Sequence, residues 1–348
     1  MPARNSKPNP TSSNVTLAHV AEAANVSKMT VSRVLNGQPG VSDETRQRII
    51  DTMNLMGYVP NAAARILRGQ SRVIGLVVPG LASPYMGEVI SGISQTSERL
   101  DYGLMLYTQV GASNIERSNY YAALLSNGLA EGVVLVVPYD YEILVSALQE
   151  REVKYVIVDH HSDTDAEPAV TASNRRGILD AMRHLLALGH RRIGFITGRL
   201  SMGCAQDRWQ GYRDALTEIG LPYEDALVRE GNFERQTGFS QARHLLQLPQ
   251  PPTAILASND DMAFGVMDAV KDSGLRVGAD VSVVGFDDVL IASQVYPRLT
   301  TVRQPMAEMG SAAVEILVGM IEGKSTVSTR RELPTELIVR ESTARPGS

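Results

Sequence analysis

Four charged side chains stand beside apolar runs of the sequence, where they could hold a polar ligand. Carboxylates accept hydrogen bonds from hydroxyl groups, and a guanidinium group donates several at once. A set containing both kinds suits a polyhydroxylated small molecule such as a sugar. Asp159 ends the run YVIVD, Asp260 follows AILASN, Asp287 follows VSVVGF, and Arg208 lies in the stretch after IGFITG.

The elements that position these side chains begin at Arg72, where apolar runs start to alternate with helical patterns. This alternation predicts parallel sheets with right-handed crossovers, and continuous apolar runs suit sheets that helices cover on both faces. Ligands of such sheets bind at the carboxyl ends of the strands. The strand candidates are Val73–Val78, Leu104–Thr108, Gly132–Val137, Tyr155–Asp159, Arg192–Thr197, Leu227–Glu230, Ala254–Ser258 and Val281–Phe286, with helices between most of them, for instance at Arg175–Leu188, Ala205–Gly220 and Met262–Ser273.

This number of elements exceeds one compact unit, so we expect two α/β lobes. The chain should cross between them after Asp159 and again near Leu299–Val302. The arrangement leaves alternatives open for some of the charged residues. Asp159 and Tyr85 could form hydrogen bonds that close the lobes instead of binding a ligand, and Asp287 and Asp288 could be turn or interlobe residues.

A second group of polar side chains lies near the N-terminus, in the stretch TLAHVAEAANVSKMTVSRVLNG. Its apolar residues are spaced by three and four around a four-residue turn, which predicts two short helices capped by Thr16 and Ser27. A third helix should start after Ser42 and end at Gly57. Three short helices with such a turn form a helix-turn-helix domain, whose second helix enters the major groove of DNA.

The exposed face of that second helix carries side chains that can read base edges. Arg33 can donate to guanine O6 and N7, Lys28 can reach the same acceptors, and Met29 can cover a thymine methyl group. The alternative is that these are only solvated side chains of a small helical bundle. Short donors suited to phosphate oxygens are Ser27, Thr30 and Ser32.

The segment YVPNAAARILRGQ follows this domain. Asn61 can cap a helix that ends near Leu67, but a helix of about two turns is marginal in water on its own. Leu67 could pack on the next domain, or it could be a wedge in the minor groove. In the second case, Arg65 and Arg68 would neutralise phosphates.

Charge is distributed unevenly along the 348 residues. Residues 1–72 hold nine Lys and Arg against four Asp and Glu, whereas the remainder holds 24 against 34. A basic module can therefore face DNA while the acidic remainder stays in solution. No apolar run approaches the ~18 residues of a membrane span, and the N-terminus has no apolar signal-peptide region. We expect a cytoplasmic protein that is associated with the nucleoid and not with a membrane.

Enzymatic and metal chemistry find little support in the sequence. It contains no G-x-G-x-x-G after the first strand, no Walker loop, no H-E-x-x-H and no G-x-S-x-G. Cys204 is the single cysteine, which rules out an intrachain disulfide and leaves no evident histidine partner for it. The adjacent His160 and His161 would point to opposite faces of a strand. We expect no metal and no cofactor.

Six segments, spread over nearly the whole chain, carry a further pattern. They are TLAHVAEAANVSKMTVSRVLNG, VSDETRQRIIDTMNLMGYVPNAAARILR, LGHRRIGFI, ASNDDMAFGVMDAV, VSVVGFDD and LTTVRQPMAEMG. In this order they resemble the lactose/galactose/purine repressor family of bacterial transcription regulators, from about Val15 to Ser342. The resemblance implies an N-terminal helix-turn-helix, a hinge helix and a core shaped like a periplasmic sugar-binding protein. It also implies homodimers on palindromic operators, controlled by a small effector.

The resemblance assigns base recognition to Lys28, Met29 and Arg33, and the operator-centre wedge to Leu67. The pair Lys28 and Met29 departs from the tyrosine and glutamine of the lactose repressor, so a different operator is expected. The complete set expected to contact DNA is Thr16, Ser27, Lys28, Met29, Thr30, Ser32, Arg33, Asn36, Asn61, Ala64, Leu67 and Arg68.

The effector site implied by the resemblance overlaps the charged residues found above. Met202, Cys204 and His160 stand where the purine repressor has Arg, Thr and Trp, which argues for a sugar or sugar acid over a purine. Ser173 stands where relatives often have Asp, which puts an interlobe contact there in doubt. The set expected to bind the effector is Tyr85, Asp159, Arg208, Phe233, Asp260 and Asp287.

We therefore expect an N-terminal all-α helix-turn-helix domain, a hinge helix and a two-lobed α/β core. The expected function is transcription regulation, with repression controlled by a sugar-like effector. A cytosolic sugar-binding protein and a sugar-metabolising α/β enzyme are the alternatives. No heptad repeat follows ELIVRES, so assembly should stop at a homodimer. The expected boundaries are a tail at 1–14, DNA-binding domain 15–59, hinge 60–71, core 72–342 and tail 343–348.

Overall fold

The computed structural model describes residues 15–35, 38–58, 71–108, 123, 128–137, 141–159, 167–324 and 328–347. The chain divides into two compact units, Met1–Ser71 and Arg72–Ser348. No helix in the described ranges is long and apolar enough to cross a membrane. Outside the described residues lie the predicted N-terminal tail, nearly all of the predicted hinge, and the predicted DNA contacts Asn36, Asn61, Ala64, Leu67 and Arg68.

The N-terminal unit has the three predicted helices, each with the predicted start. The Thr16 side chain accepts a hydrogen bond from the His19 backbone, and Ser42 accepts one from the Thr45 backbone. The third helix ends at Gly57, which takes the left-handed conformation. The helices are α1, Leu17–Ala23; α2, Lys28–Leu35; and α3, Asp43–Met56.

Apolar residues at helical spacing form the core of this unit. Val20 from α1, Val31 from α2 and Ile49 from α3 are all fully buried and belong to one cluster. Because each helix is short, packing of these faces supplies the stability that the isolated helices lack. The opposite face of α2 is left exposed to solvent.

The first lobe of the larger unit contains a six-stranded parallel sheet. Its spatial order is β11-β5-β4-β3-β1-β2. Alternate strand residues belong to two clusters, so helices α4 and α10 cover one face and α5 covers the other. The elements are β1, Val73–Val78; α4, Pro84–Arg99; β2, Gly103–Thr108; β3, Gly132–Val136; α5, Tyr141–Gln149; β4, Tyr155–Val158; β5, Ala169–Ala172; α10, Met306–Ile321; and β11, Arg330–Leu333.

The second lobe repeats this plan around the sheet β12-β10-β9-β8-β6-β7, in which β12 runs antiparallel to its neighbour. Helices α6 and α7 cover one face, and α8 and α9 cover the other. The elements are α6, Asn174–Leu188; β6, Ile193–Thr197; α7, Gly203–Glu218; β7, Val228–Glu230; α8, Arg235–Leu246; β8, Ala254–Ala257; α9, Asp260–Asp272; β9, Ser282–Asp287; β10, Thr300–Arg303; and β12, Glu336–Ile338, with short 3-10 turns at Asp225–Leu227 and Leu290–Ser293.

The eight strand candidates are confirmed to within one or two residues, but β5 and β11 were not predicted. The first crossing comes one strand later than the predicted linker after Asp159, because β5 pairs with β4 and keeps the chain in the first sheet. The chain crosses after Ala172, again after Arg303, and a third time between β11 and β12. Beyond the predicted end of the core, Ala344 still donates a backbone hydrogen bond to Ser282 of the second lobe.

Candidate functional site

A cavity of about 250 Å³ lies between the two lobes. Residues at or just after the C-terminal ends of β1, β3 and β4 line it from the first lobe, and residues at or just after the ends of β6, β7, β8 and β9 line it from the second. This is the placement expected for ligands of parallel sheets. The lining residues are Pro79, Gly80, Ala82, Ser83, Tyr85, Met86, Val137, Asp159, Arg199, Met202, Cys204, Arg208, Asn232, Phe233, Glu234, Asn259 and Asp287.

Arg208 lies at the floor of this cavity with a side chain that is only 2% exposed. Its Nε donates to Oδ1 of Asn174 at 2.7 Å, and its Nη1 donates to the backbone oxygen of Ser258 at 2.5 Å. The guanidinium lies over the ring of Phe286. Helix α7 and these contacts orient the guanidinium group, and its Nη2 atom lies near the carboxylate of Asp159.

Two carboxylates flank Arg208, one from each lobe. Oδ2 of Asp159 is 3.9 Å from Nη2, and Oδ1 of Asp287 is 4.0 Å from Nη1. Burial raises the pKa of Asp287 to about 7, against the opposing influence of Arg208 and of a hydrogen bond from Gln304. The carboxyl groups of Asp159 and Asp287 thus flank the guanidinium, and Glu234 and Arg199 add one charge of each sign to the lining, so the site carries no excess positive charge.

Asp288, the neighbour of Asp287, has a different environment. Arg303 Nε lies 2.8 Å and Arg340 Nη2 lies 2.7 Å from its carboxylate oxygens. These arginines belong to or follow the adjacent strands β10 and β12, so Asp288 ties the edge of the second sheet together. The structure therefore separates the two aspartates: Asp287 faces the cavity and Asp288 does not line it.

Asp260 is not brought to the cavity, contrary to the sequence-based expectation. Its Oδ1 accepts a 2.6 Å hydrogen bond from the Thr301 hydroxyl, and its Oδ2 accepts a 2.9 Å bond from the Val289 backbone. Burial raises its pKa well above the usual range, with the nearby Asp287 as the next cause. The preceding residue, Asn259, lines the cavity instead.

Tyr85 and Phe233, which the resemblance assigns to the effector site, line the cavity. The Tyr85 hydroxyl is buried and has no hydrogen-bond partner among the described residues. Burial, and then the charge of Asp159, raises its pKa, so this hydroxyl is a neutral group that can donate to a ligand. Phe233 supplies an aromatic surface across the cavity, next to Gly198.

Four residues that line the cavity have a backbone conformation that is strained for a non-glycine residue. They are Val137, Asp159, Phe233 and Asp287, with φ angles of 42°, 61°, 70° and 123°. Such conformations are disfavoured for non-glycine residues, especially β-branched and aromatic ones, and they persist only where the surrounding structure holds them. Strained residues in the lining of a cavity are typical of a functional site.

Several lining residues were not predicted. Asn232, Asn259 and Arg199 follow β7, β8 and β6, so the rule that located Asp159 would also have found them. Met202 and Cys204 line the cavity too. Burial raises the pKa of the Cys204 thiol, which therefore stays protonated and is a poor nucleophile. Within the described ranges, no group of His, Cys, Asp and Glu side chains could hold a metal ion.

The N-terminal unit presents a separate polar face on α2. Met29 is 67% exposed, and Lys28 and Arg33 are also exposed. The Ser27 hydroxyl accepts a hydrogen bond from the Thr30 backbone at 3.1 Å and so caps the helix. The side chains suited to reading base edges thus project from the surface, whereas the Ser27 hydroxyl is already hydrogen-bonded as the cap of α2.

A helix-turn-helix unit, joined to a two-lobed α/β core with a cavity between its lobes, defines a DNA-binding transcription regulator whose core responds to a ligand. Residues 16–61 match the bacterial regulatory proteins of the lacI family, and residues 182–343 match the periplasmic binding protein-like domain. Catabolite control protein A of Priestia megaterium is 32% identical over 335 residues, covering 95% of this chain and 99% of that protein. The chain belongs to the lacI family of bacterial regulatory proteins.

Further relatives support the same assignment. The transcriptional repressor CytR of Escherichia coli (strain K12) is 32% identical over 94% of this chain and 96% of its own length. The lac repressor dimer bound to operator and the anti-inducer ONPF has a TM-score of 0.83 at 33% identity, covering 95% of this chain and 100% of that one. The CelR–cellobiose complex has a TM-score of 0.74 at 33% identity, covering 94% and 99%. The chain is a transcription regulator and not an enzyme, and both alternatives without a DNA role are wrong.

Proposed function

We propose that this protein is a repressor that binds a palindromic operator as a homodimer, and that a neutral sugar in the interlobe cavity releases it. The observation that carries the ligand part is the buried guanidinium of Arg208 between the carboxylates of Asp159 and Asp287. The DNA part rests on the exposed polar face of α2 in a unit of the helix-turn-helix type. The protein would act on chromosomal DNA in the cytoplasm.

The charge balance of the cavity favours a neutral ligand over a sugar acid. A uronate would bring a further carboxylate to a lining that already has the acidic side chains Asp159, Glu234 and Asp287 against the two arginines Arg199 and Arg208. Charges that are buried without a partner are costly. The hydroxyl groups of a sugar can instead donate to the carboxylates of Asp159 and Asp287 and accept from the guanidinium of Arg208, which satisfies all three side chains.

The remaining lining suits one face of a sugar ring. Phe233 and Met86 offer apolar surface to its C–H groups, and the unpartnered hydroxyl of Tyr85 offers a donor. The cavity, at about 250 Å³, lies below the usual range for drug-sized ligands. We therefore propose a monosaccharide. One similar structure, of CelR, holds cellobiose.

We assign base recognition to Lys28, Met29 and Arg33, with Leu67 as the wedge at the operator centre. Two copies are needed because a palindromic site presents the same half-site twice. The similar lac repressor structure is a dimer bound to its operator, which supports this arrangement. Analytical ultracentrifugation of the full chain, alone and with duplex, would give the number of copies.

A thermal-shift panel tests the ligand. D-glucose, D-galactose and D-ribose stand for neutral sugars, D-glucuronate and D-galacturonate for sugar acids, cellobiose for disaccharides, and hypoxanthine for purines. A ligand present at a hundredfold excess over its Kd adds about 2.7 kcal/mol to stability. We expect a rise in Tm with a neutral monosaccharide. A shift caused only by a uronate, the disaccharide or the purine would contradict the proposal.

Selection from a random duplex library tests the DNA part. The full chain should enrich a palindrome, and a gel shift on that sequence should weaken when the active sugar is added. Selection of no palindrome at physiological salt would overturn the repressor proposal. Tighter operator binding in the presence of sugar would still support a sugar-controlled regulator. It would show that the sugar promotes DNA binding and does not release it, because a ligand favours whichever state binds it better.

A further inference from the structure

Two of the three crossings between the lobes carry a buried amide side chain. Asn174 begins α6 directly after the first crossing, and Gln304 lies in the second crossing between β10 and α10. The two residues are 1% and 3% exposed. Neither lines the cavity, yet each contacts a residue that does. Since lobe rotation must change the backbone at the crossings, these contacts connect the ligand site to the place of movement.

Asn174 joins the two lobes through the cavity residues. Its Nδ2 donates to Oδ1 of Asp159 at 3.4 Å and to the backbone oxygen of Ala172 at 3.2 Å, both in the first lobe. Its Oδ1 accepts the 2.7 Å bond from Nε of Arg208 in the second lobe. One amide thus holds the cavity carboxylate of one lobe and the cavity guanidinium of the other.

Gln304 holds the second cavity carboxylate. Its Nε2 donates to Oδ1 of Asp287 at 2.7 Å, and its backbone nitrogen donates to the Asp287 carbonyl at 3.2 Å. Its Oε1 is buried and has no partner among the described residues. The bond to Asp287 therefore fixes the Gln304 amide through its donor end alone. Its buried acceptor end is left unpaired, which is unfavourable.

The third crossing is different and supplies a comparison. The Thr335 backbone donates to Oγ of Ser173 at 3.0 Å, and the Thr335 hydroxyl donates to the Ser173 carbonyl at 3.3 Å. These bonds tie the first and third crossings to each other. Neither Ser173 nor Thr335 lines the cavity, and none of these bonds involves a residue that does.

We infer that Asn174 and Gln304 are positioning residues that transmit occupation of the cavity to the two crossings, through Arg208, Asp159 and Asp287. A ligand hydroxyl that bonds to Arg208 or Asp287 competes with, or realigns, the bonds from the two amides. The lobes then rotate to restore them. The inference rests on one part of the proposed function, namely that the cavity is an effector site.

Double electron–electron resonance on the full chain tests this without any ligand. Nitroxides at E150C and Q247C report one exposed site in each lobe, and the single native cysteine, Cys204, is buried. Dilution with unlabelled chain removes distances between copies. We expect N174A and Q304M to shift or broaden the interlobe distance distribution. The control T335V, which alters a crossing without touching a cavity contact, should resemble the wild type.

A reversed hydrogen bond gives a rescue test. At pH 8, above the pKa of Asp287, a carboxylate at position 304 in Q304E has no proton to donate to Asp287 and should broaden the interlobe distance distribution. In the double variant D287N/Q304E the donor and acceptor exchange places, because the new amide at position 287 can donate to the new carboxylate at position 304. We expect the double variant to narrow the distribution again. Tm should be measured for each variant in parallel. A narrower distance distribution in the double variant counts as rescue even if its Tm stays below that of the wild type.

The second readout is the affinity of each variant for the palindrome that the wild type selects. It is measured with and without the sugar that raises the Tm of the wild type. Allosteric coupling of this kind changes affinity about 5- to 150-fold. We expect the ratio of operator affinity without sugar to operator affinity with sugar to fall toward one in N174A and Q304M, and to keep its wild-type value in T335V. Wild-type distances and wild-type coupling in both variants would overturn the inference, as would an equal effect of T335V. If no sugar binds the wild type, the proposed ligand fails, while the ligand-free distances still decide this inference.

Discussion

The guanidinium carbon of Arg208 lies 3.9 Å from the centre of the Phe286 ring. Phe286 belongs to β9 and directly precedes Asp287, so the strand that presents the carboxylate also supports the cation paired with it. A planar guanidinium can stack on a ring and still donate along its edge, which an ammonium group cannot do. The floor of the cavity therefore depends on arginine and not on positive charge alone.

Replacement of Arg208 by lysine should consequently damage ligand binding although it preserves charge. Loss of hydrogen bonds to charged groups costs about 1.5–3 kcal/mol, or roughly 10- to 150-fold in affinity. We expect the Kd for the active sugar, measured by calorimetry, to rise by this factor. Arg213→Lys, an exposed position on the same helix, is the control and should retain wild-type affinity. Equal affinities for the wild type and Arg208→Lys would remove Arg208 from the site.

Asp287 should give the protein a stability that falls as the pH rises. Burial raises its pKa to about 7 in the folded state, so the folded protein keeps a proton that the unfolded chain releases near pH 4. Stability from this group is complete below pH 4 and is lost as the pH rises toward 7, by up to about 1.4 kcal/mol per pH unit. Asp287→Asn should flatten this slope in urea unfolding between pH 4.5 and 8.

Asp268→Asn is the matched control for that experiment, since Asp268 lies on the surface beside Arg235. It should keep the wild-type slope. Asp260, whose pKa is raised by burial and then by the charge of Asp287, should contribute equally to the wild type and to Asp268→Asn. In Asp287→Asn that charge is absent, so the pKa of Asp260 should also fall, which adds to the flattening of the slope. An unchanged slope in Asp287→Asn would show that the carboxyl group ionises normally in the folded state.

Gly198 leaves the space that Phe233 occupies. A Cβ atom at position 198 would lie 1.9 Å from the Phe233 ring, so alanine must push the ring away from its place in the cavity. We expect Gly198→Ala to lower stability by about 1–3 kcal/mol, as overpacking does, and to weaken sugar binding as well. Gly87→Ala, where nothing lies within 4 Å of the added carbon, should do neither. Wild-type sugar affinity in Gly198→Ala would argue against a ligand contact for Phe233.

Arg33 should determine one base pair of the operator. Its removal should cost about 1–3 kcal/mol on the preferred sequence and relax selection at a single position. Repeating the library selection with Arg33→Ala measures both effects. Arg48→Ala, an exposed position on α3, removes the same charge and should leave the selected sequence unchanged. Full selectivity in Arg33→Ala would refute direct readout by this residue.

Leu67 should matter for specific binding and little for nonspecific binding. A side chain that wedges between base steps acts only where the duplex is kinked at the operator centre. We expect Leu67→Ala to weaken binding to the selected palindrome much more than binding to random duplex, as measured by fluorescence anisotropy. Leu55→Ala, at an exposed position of α3, is the control and should affect neither. Equal losses on both duplexes would count against a wedge.

Local patterns in the sequence were sufficient for most of the elements. The helix starts at Thr16 and Ser42 follow from side-chain capping, which needs partners only three residues away. The buried strands follow from unbroken apolar runs, and the placement of Asp159 and Asp287 at the cavity follows from their position at strand ends. Each of these depends on neighbours in the chain.

Tertiary structure alone decided the features that depend on distant partners. Asp260 is turned from the cavity by Thr301 and Val289, which lie 41 and 29 residues along the chain, and Asn259 takes the place expected for it. Strand β11 is short and charged, and only its pairing with β5 identifies it. The link from Gln304 to Asp287 exists because β10 and β9 are adjacent. Sequence periodicity reports which face of an element is buried, whereas the partner of a buried polar group is chosen by whichever strand or helix the fold brings within hydrogen-bond distance.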